Sequence, residues 1–156
     1  MGSLDNKNIG FISVGDGGNS IAKRLHNAGA NTFAYNRSPA ARYEIARNGI
    51  SLCNSPAEIA IKIENGVVIL MMPDNDATES ILEGEDSLFS KLAENTLIID
   101  MSDTAEDRSE KFAALAKEKG AHWLKAPLSE GNLEARVNTE GETFDRARSI
   151  FRCLDS

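Results

Sequence analysis

The stretch Ile9-Gly10-Phe11-Ile12-Ser13-Val14-Gly15-Asp16-Gly17-Gly18 decides the fold. Its apolar run, Ile9 to Val14, predicts a β-strand, and a glycine-rich turn follows immediately. The residues from about Asn19 to Ala28 then predict a helix. This order of strand, turn and helix leaves free backbone amides at the start of the helix, where they favour an anionic group.

The same alternation of short strands and helices continues along the whole chain. Further strands are predicted at Thr32 to Asn36, Ile50 to Leu52, Val67 to Met71, Thr96 to Asp100 and His122 to Leu124. Val67 to Met71 is apolar throughout, as is typical of a strand buried on both faces. We therefore predict a single-domain α/β fold, a doubly wound parallel sheet with helices on both faces.

Start and stop signals place helices between the strands. Ser38-Pro39 predicts a helix start, and Ser55-Pro56-Ala57-Glu58 reads as a capping box in which Glu58 returns to the Ser55 amide. A long helix is predicted from Ala105 to Lys119, with Gly120 as its stop. Near the end, one apolar stripe at helical spacing predicts a last helix; it comprises Phe144, Ala147, Ile150, Phe151 and Leu154.

Length and composition exclude several functional classes. The chain has 156 residues and a net charge of −7, which fits one domain and argues against a nucleic-acid partner. It contains no long apolar run and no basic-then-apolar N-terminus, so we expect neither a membrane span nor a signal peptide. Cys53 and Cys153 match no metal or disulfide spacing, which favours reduced thiols in a cytoplasmic protein.

The glycine-rich turn resembles Gly-x-Gly-x-x-Gly, the turn that binds the pyrophosphate of a dinucleotide. Gly15, Gly17 and Gly18 supply small residues for close approach of a phosphate, but Ser13 replaces the first glycine. Asp16 is a carboxylate in a loop meant for an anion, so it has to point to water or cap the helix. A dinucleotide site is therefore predicted here, with two departures from the motif.

The end of the second strand points to the phosphorylated cofactor. NAD-binding domains place an acidic residue there for the ribose hydroxyl, whereas this chain has Asn36, Arg37 and Ser38. An arginine with neighbouring hydroxyl and amide groups suits a 2′-phosphate. The pattern therefore predicts NADP(H) rather than NAD(H).

Six segments in order resemble the β-hydroxyacid dehydrogenase family, which includes 3-hydroxyisobutyrate and 6-phosphogluconate dehydrogenases and is related to imine reductases. They are Gly10 to Gly18, Tyr35 to Ser38, Ser55 to Ala60, Met71 to Asp74, Ile99 to Ser102 and Ala126 to Gly131. The resemblance implies that Met72, Pro73 and Ser102 lie beside the cofactor riboses and nicotinamide. It also implies that Ser129 holds a substrate carboxylate.

The chain also departs from that family. Glu130 replaces a glycine at the substrate loop, and Arg136 to Gly141 passes to the last helix where the family has a further strand. The family continues into a helical domain that carries the catalytic lysine and completes the dimer, and the sequence ends at Ser156 without it. We therefore expect a homo-oligomer, or a partner chain that supplies the missing domain.

Three functions are compatible with these features. The first is an NADP(H)-dependent oxidoreductase of small hydroxy acids, carbonyls or imines, completed by another domain or chain. The second is a repurposed fold with non-redox chemistry, such as a cyclase, isomerase or lyase, and the third is a nucleotide-binding pseudoenzyme; in both, NADP(H) binding can be lost. Within the chain, Lys125 at the end of the sixth strand is the candidate acid or base.

Overall fold

The computed structural model describes residues 3–15, 18–128, 133 and 142–155. Within these residues it has six strands: β1 (Asn8–Ser13), β2 (Asn31–Asn36), β3 (Ser51–Leu52), β4 (Val67–Met71), β5 (Leu97–Asp100) and β6 (His122–Lys125). The same residues form six helices: α1 (Asn19–Asn27), α2 (Pro39–Arg47), α3 (Pro56–Lys62), α4 (Asn75–Leu82), α5 (Glu106–Glu118) and α6 (Glu142–Asp155).

All strand pairs are parallel, and their order in the sheet is β3-β2-β1-β4-β5-β6. From β1, the strands β2 and β3 are added toward one edge of the sheet. The chain then crosses to the other side of β1, where β4, β5 and β6 are added toward the opposite edge. The predicted doubly wound sheet is confirmed. Its reversal point lies between β1 and β4, and ligands of such sheets bind beyond the carboxyl ends of the strands at that point.

Each face of the sheet has its own apolar core. One core packs α1, α2 and α6 on the sheet, and the other packs α3, α4 and α5. Phe11 and Phe151 are both buried in the first core, and Phe112 is buried in the second. The apolar stripe predicted for the last helix is confirmed, since Ala147, Ile150 and the other members pack into the first core or against it.

Strand positions agree with the sequence prediction to within one residue, whereas one helix was not predicted. α4 begins after Asp74, whose carboxylate accepts a hydrogen bond from the Ala77 amide at 2.7 Å. Ser38 and Ser55 cap α2 and α3 as expected. Glu58, however, accepts from the Asn54 amide at 2.7 Å instead of the Ser55 amide, so that detail of the predicted capping box is wrong.

The predictions about a membrane span and about the two cysteines can be compared with the structure only over the described residues. There, no helix combines the length and apolar character needed to cross a membrane. Cys53 is buried and Cys153 partly exposed, and neither forms a disulfide with another described residue. The segment from Ser129 to Gly141 lies outside the described residues apart from Leu133. It contains Ser129 and Glu130 of the predicted substrate loop and the stretch Arg136 to Gly141, where the family has a further strand.

Candidate functional site

A cleft of about 420 Å³ opens at the carboxyl ends of β1, β4 and β5, beside the reversal point of the sheet. Its described lining comes from the four segments that follow these strands and β6: Val14 and Gly18, Met71 to Pro73, Met101 to Asp103, and Leu128. The predicted site residues Gly18, Met72, Pro73 and Ser102 therefore meet in one place. Position and volume both suit a small-molecule site.

Two glycines shape the turn after β1. Gly15 has a φ of +74°, a conformation that other residues adopt with strain, and a side chain built there would meet nothing within 4 Å. The backbone at Gly15 is thus open to a ligand. Gly18 is needed for another reason, because an added Cβ would lie 2.5 Å from the ring of Phe11. Asp16 and Gly17 lie outside the described residues.

Ser13, which replaces the first glycine of the motif, ends β1 with an exposed fraction of only 2%. Its φ is not in the left-handed region, so the position does not require glycine. Serine is therefore accommodated here without left-handed backbone strain. Its hydroxyl instead accepts a hydrogen bond from Asn36 Nδ2 at 3.2 Å.

Asn36 is fully buried, and its carboxamide joins two turns. Nδ2 donates to the Gly15 carbonyl at 2.7 Å and to Ser13 Oγ. Oδ1 accepts from the Gly15 amide at 3.2 Å and from the Ser38 amide at 2.9 Å. Two donors and two acceptors are the complete capacity of a carboxamide, so all of it is used inside the protein.

Arg37, next to Asn36, is exposed and makes no hydrogen bond or ion pair with the described residues. Ser38 caps α2 through an Oγ that accepts from the Ala41 amide at 3.4 Å. Arg42 is not among the residues predicted from the sequence. It donates to the Asn36 carbonyl at 3.1 Å, and it thus adds a second positive charge behind this turn. Nothing in the sequence pattern distinguishes Arg42 from an ordinary surface arginine one turn into a helix.

The floor of the cleft is held by Ser102 and Asp100. Ser102 Oγ accepts from the Met72 amide at 2.8 Å, which links the ends of β4 and β5. Asp100 is fully buried and accepts from Thr104 Oγ1 at 2.5 Å and from the Ser102 amide at 3.0 Å. Burial raises the pKa of the Asp100 carboxyl, while these hydrogen bonds and the charge of Lys125 lower it by less.

Lys125 pairs with Asp100 in the sheet register, at the functional edge, but it is not among the residues that line the cleft. Its Nζ lies 3.9 Å from a carboxylate oxygen of Glu106. The structure therefore does not bring Lys125 together with the other predicted site residues. Its role as acid or base stays a prediction, as does that of Ser129, which lies outside the described residues.

The sequence of this chain is similar to those of known dehydrogenases. Residues 8–154 match the family model for the NAD binding domain of 6-phosphogluconate dehydrogenase. Among relatives, 3-hydroxyisobutyrate dehydrogenase of Pseudomonas aeruginosa is 31% identical over 150 residues, 92% of this chain and 50% of the relative. The mitochondrial 3-hydroxyisobutyrate dehydrogenase of Bos taurus is 30% identical, and the match covers 95% of this chain and 46% of the bovine protein.

The fold of this chain is also similar to that of a solved dehydrogenase structure. A structure of Mycobacterium tuberculosis 3-hydroxyisobutyrate dehydrogenase with L-serine superposes with a TM-score of 0.75 and is 25% identical, covering 93% of this chain and 51% of the other. The chain thus spans about half the length of the curated relatives it matches.

Proposed function

The chain belongs to the family of the NAD-binding domain of 6-phosphogluconate dehydrogenase, and on that basis we propose that it binds NADP(H) as the cofactor domain of an oxidoreductase. The cleft beyond β1, β4 and β5 is the proposed binding site. The observation that carries the preference for the phosphorylated cofactor is the end of β2, where Asn36 stands in place of a carboxylate and is followed by an exposed arginine without a described partner.

The charges at the end of β2 support this preference. A carboxylate at this position would repel a 2′-phosphate, and Asn36 brings none. None of the described residues takes up the five N–H donors of Arg37, which suit phosphate oxygens, and Ser38 with its hydroxyl is the next residue. Arg42, fixed to the Asn36 carbonyl, contributes to the positive potential of the same turn.

The turn after β1 fits the pyrophosphate. The space that a side chain of Gly15 would fill is open, and α1 begins at Asn19 after its N-cap residue Gly18, which has no side chain to cap the helix. The first turn of α1 also has no acidic residue. Amides at an uncapped helix start favour an anion, and a pyrophosphate is the anion that this kind of turn binds.

NADP(H), when bound, supplies or accepts a hydride, and the residues of the chain position the reacting partners. Met72 and Pro73 would line the nicotinamide half of the site, and Ser102, whose oxygen accepts from the Met72 amide, would hold the ends of β4 and β5 in place beside it. We propose a small hydroxy acid, carbonyl or imine as the substrate. Ser129 as carboxylate ligand and Lys125 as acid or base belong to this proposal.

The remaining active-site groups are proposed to come from a further domain or chain. The chain matches about half of each relative, so the relatives contain residues with no counterpart in it. Self-association and a cytoplasmic location are parts of the same proposal. A helical domain docked on the cleft would exclude water from the nicotinamide, as hydride transfer requires.

Substitution of Arg37 tests the cofactor preference. We expect Arg37→Ala to raise the dissociation constant for NADPH by about tenfold or more, because a charge-assisted contact to the 2′-phosphate is lost. Binding of NADH, which lacks that phosphate, should change by less than about twofold. Fluorescence titration with each nucleotide at low salt measures both constants.

Arg47→Ala is the matched control, because Arg47 is an exposed arginine on α2 whose described partner is Glu44, 3.3 Å away. It should change neither constant. An equal loss of NADPH affinity in both variants would assign the effect to net charge, and an unchanged NADPH affinity in Arg37→Ala would refute the proposed 2′-phosphate contact.

A further inference from the structure

The hydrogen bonds of Asn36 connect the two turns that the proposed cofactor site assigns to different phosphates. Gly15 belongs to the turn after β1, and Ser38 belongs to the turn after β2. Asn36 Oδ1 accepts from both amides, at 3.2 Å from Gly15 and 2.9 Å from Ser38. A single buried oxygen atom thus fixes the spacing of the two turns.

Nδ2 of the same side chain secures the first turn from a second direction. It donates to the Gly15 carbonyl at 2.7 Å and to Ser13 Oγ at 3.2 Å. Gly15 is therefore held at both its amide and its carbonyl, in the left-handed conformation that opens its backbone. Ser13 contributes an acceptor to this arrangement, because a glycine at that position would have no hydroxyl for Nδ2.

We propose that Asn36 is a positioning residue, which holds the pyrophosphate turn and the 2′-phosphate turn at a fixed spacing and sets cofactor affinity without touching the cofactor. This inference rests on the proposed function and refines it. Asn36 occupies the place where an acidic residue reads the ribose in NAD-binding domains. In this chain the side chain is directed inward, and the choice of cofactor is left to Arg37 and Ser38.

The proposal makes an unusual prediction for Asn36→Asp. In a domain that reads the ribose with this residue, the substitution would favour NADH. Here the second carboxylate oxygen would replace Nδ2 and face the Gly15 carbonyl, two acceptors in contact. The other oxygen would keep the Gly15 and Ser38 amides as donors, but a charge buried at this position with one oxygen facing an acceptor is costly. We therefore expect Asn36→Asp to weaken the binding of both nucleotides.

Calorimetric titration of the full chain with NADP⁺ and NADH tests the proposal. Asn36→Ala and Asn36→Asp should each raise both dissociation constants by about tenfold or more, by similar factors for the two nucleotides. The Asn36→Asp defect in NADP⁺ binding should shrink as the pH falls, because a protonated carboxyl can again donate to the Gly15 carbonyl. Titrations are run well below the melting temperature of each variant, so that a lower stability alone leaves the constants unchanged.

Asn31→Ala is the matched control, because Asn31 lies at the opposite end of β2 and its side chain bonds only to Asn8 among the described residues, at 3.0 Å. It should leave both constants unchanged. Tighter NADH binding by Asn36→Asp than by the unchanged protein would overturn the proposal, since Asn36 would then read the ribose. Unchanged constants in Asn36→Ala would overturn it as well.

Amide hydrogen exchange separates this inference from the proposed function, since it needs no nucleotide. In Asn36→Ala the amides of Gly15 and Ser38 should lose their protection together, while strand amides such as that of Phe11 keep theirs. This result would support the positioning role even if the unchanged chain bound no nucleotide, which would refute only the proposed function. Unchanged protection at Gly15 and Ser38 would refute the positioning role.

Discussion

Asp100 shows how a single residue can be kept for the shape of a site at a cost in stability. Its carboxyl is fully buried at the end of β5 and organises the turn through Ser102 and Thr104. Burial raises the pKa of this carboxyl. The native state then keeps the proton to a higher pH than the unfolded chain, so stability falls as pH rises from the usual aspartate pKa through the raised one.

Asp100→Asn should therefore raise the free energy of unfolding at neutral pH, by on the order of 1 kcal/mol, because an amide keeps the shape without the buried charge. The gain should shrink as the pH falls through the raised pKa of Asp100, because the native state then takes up the proton. Urea unfolding between pH 4 and 7.5 measures this difference. Asp107→Asn, an exposed aspartate on α5, is the control with no gain. A gain of equal size at every pH would contradict the explanation.

Individual residues also show what the sequence could not predict. The order Asn36, Arg37, Ser38 was enough to place a polar cluster at the end of a strand, and the structure places it there. It could not show that Asn36 points into the protein while Arg37 is exposed, because a strand end allows either orientation. The link between Ser13 and Asn36 spans 23 positions and depends on the pairing of β1 with β2, which no local pattern encodes.

At the scale of elements, α6 is fastened to the sheet at the end opposite the cleft. Arg146 is partly buried and donates to three backbone carbonyls: Asn65 at 2.7 Å, Gly66 at 3.2 Å and Asn95 at 2.7 Å. These carbonyls belong to the turns that precede β4 and β5. One side chain thus joins the last helix to the two central segments on which the cleft is built.

Arg146→Met should lower the free energy of unfolding by about 2 to 4 kcal/mol, because three carbonyls lose a charged donor while the apolar stem is kept. Chemical denaturation followed by circular dichroism measures the loss. Arg47→Met on α2 removes an exposed ion pair with Glu44 and should cost no more than about 1 kcal/mol. Similar losses in both variants would contradict the fastening role of Arg146.

The elements themselves were largely predictable. Val67 to Met71 was identified from its apolar run because a strand buried on both faces has no polar alternation to interrupt it. α4 was missed because the segment after Pro73 resembles a loop of the family, and only Asp74 signals a helix start. Glu58 caps the amide of Asn54 because the local backbone, which the sequence pattern does not fix, brings that amide within reach.

At the scale of the whole molecule, the described residues combine a six-stranded parallel sheet with a cleft at the carboxyl ends of its strands. The walls follow β1, β4, β5 and β6. The relatives extend over about twice the matched length, and we propose that a further domain or chain closes this cleft. The cofactor half of the proposed site lies within this chain, so nucleotide binding can be measured without the proposed closing part.

Isothermal titration calorimetry of the 156-residue chain with NADPH and with NADH tests the central claim most directly. The account predicts saturable binding of NADPH with micromolar affinity at low salt, and weaker binding of NADH, because both share the pyrophosphate turn but only NADPH engages Arg37. No saturable heat with either nucleotide would contradict the account, as would tighter binding of NADH than of NADPH.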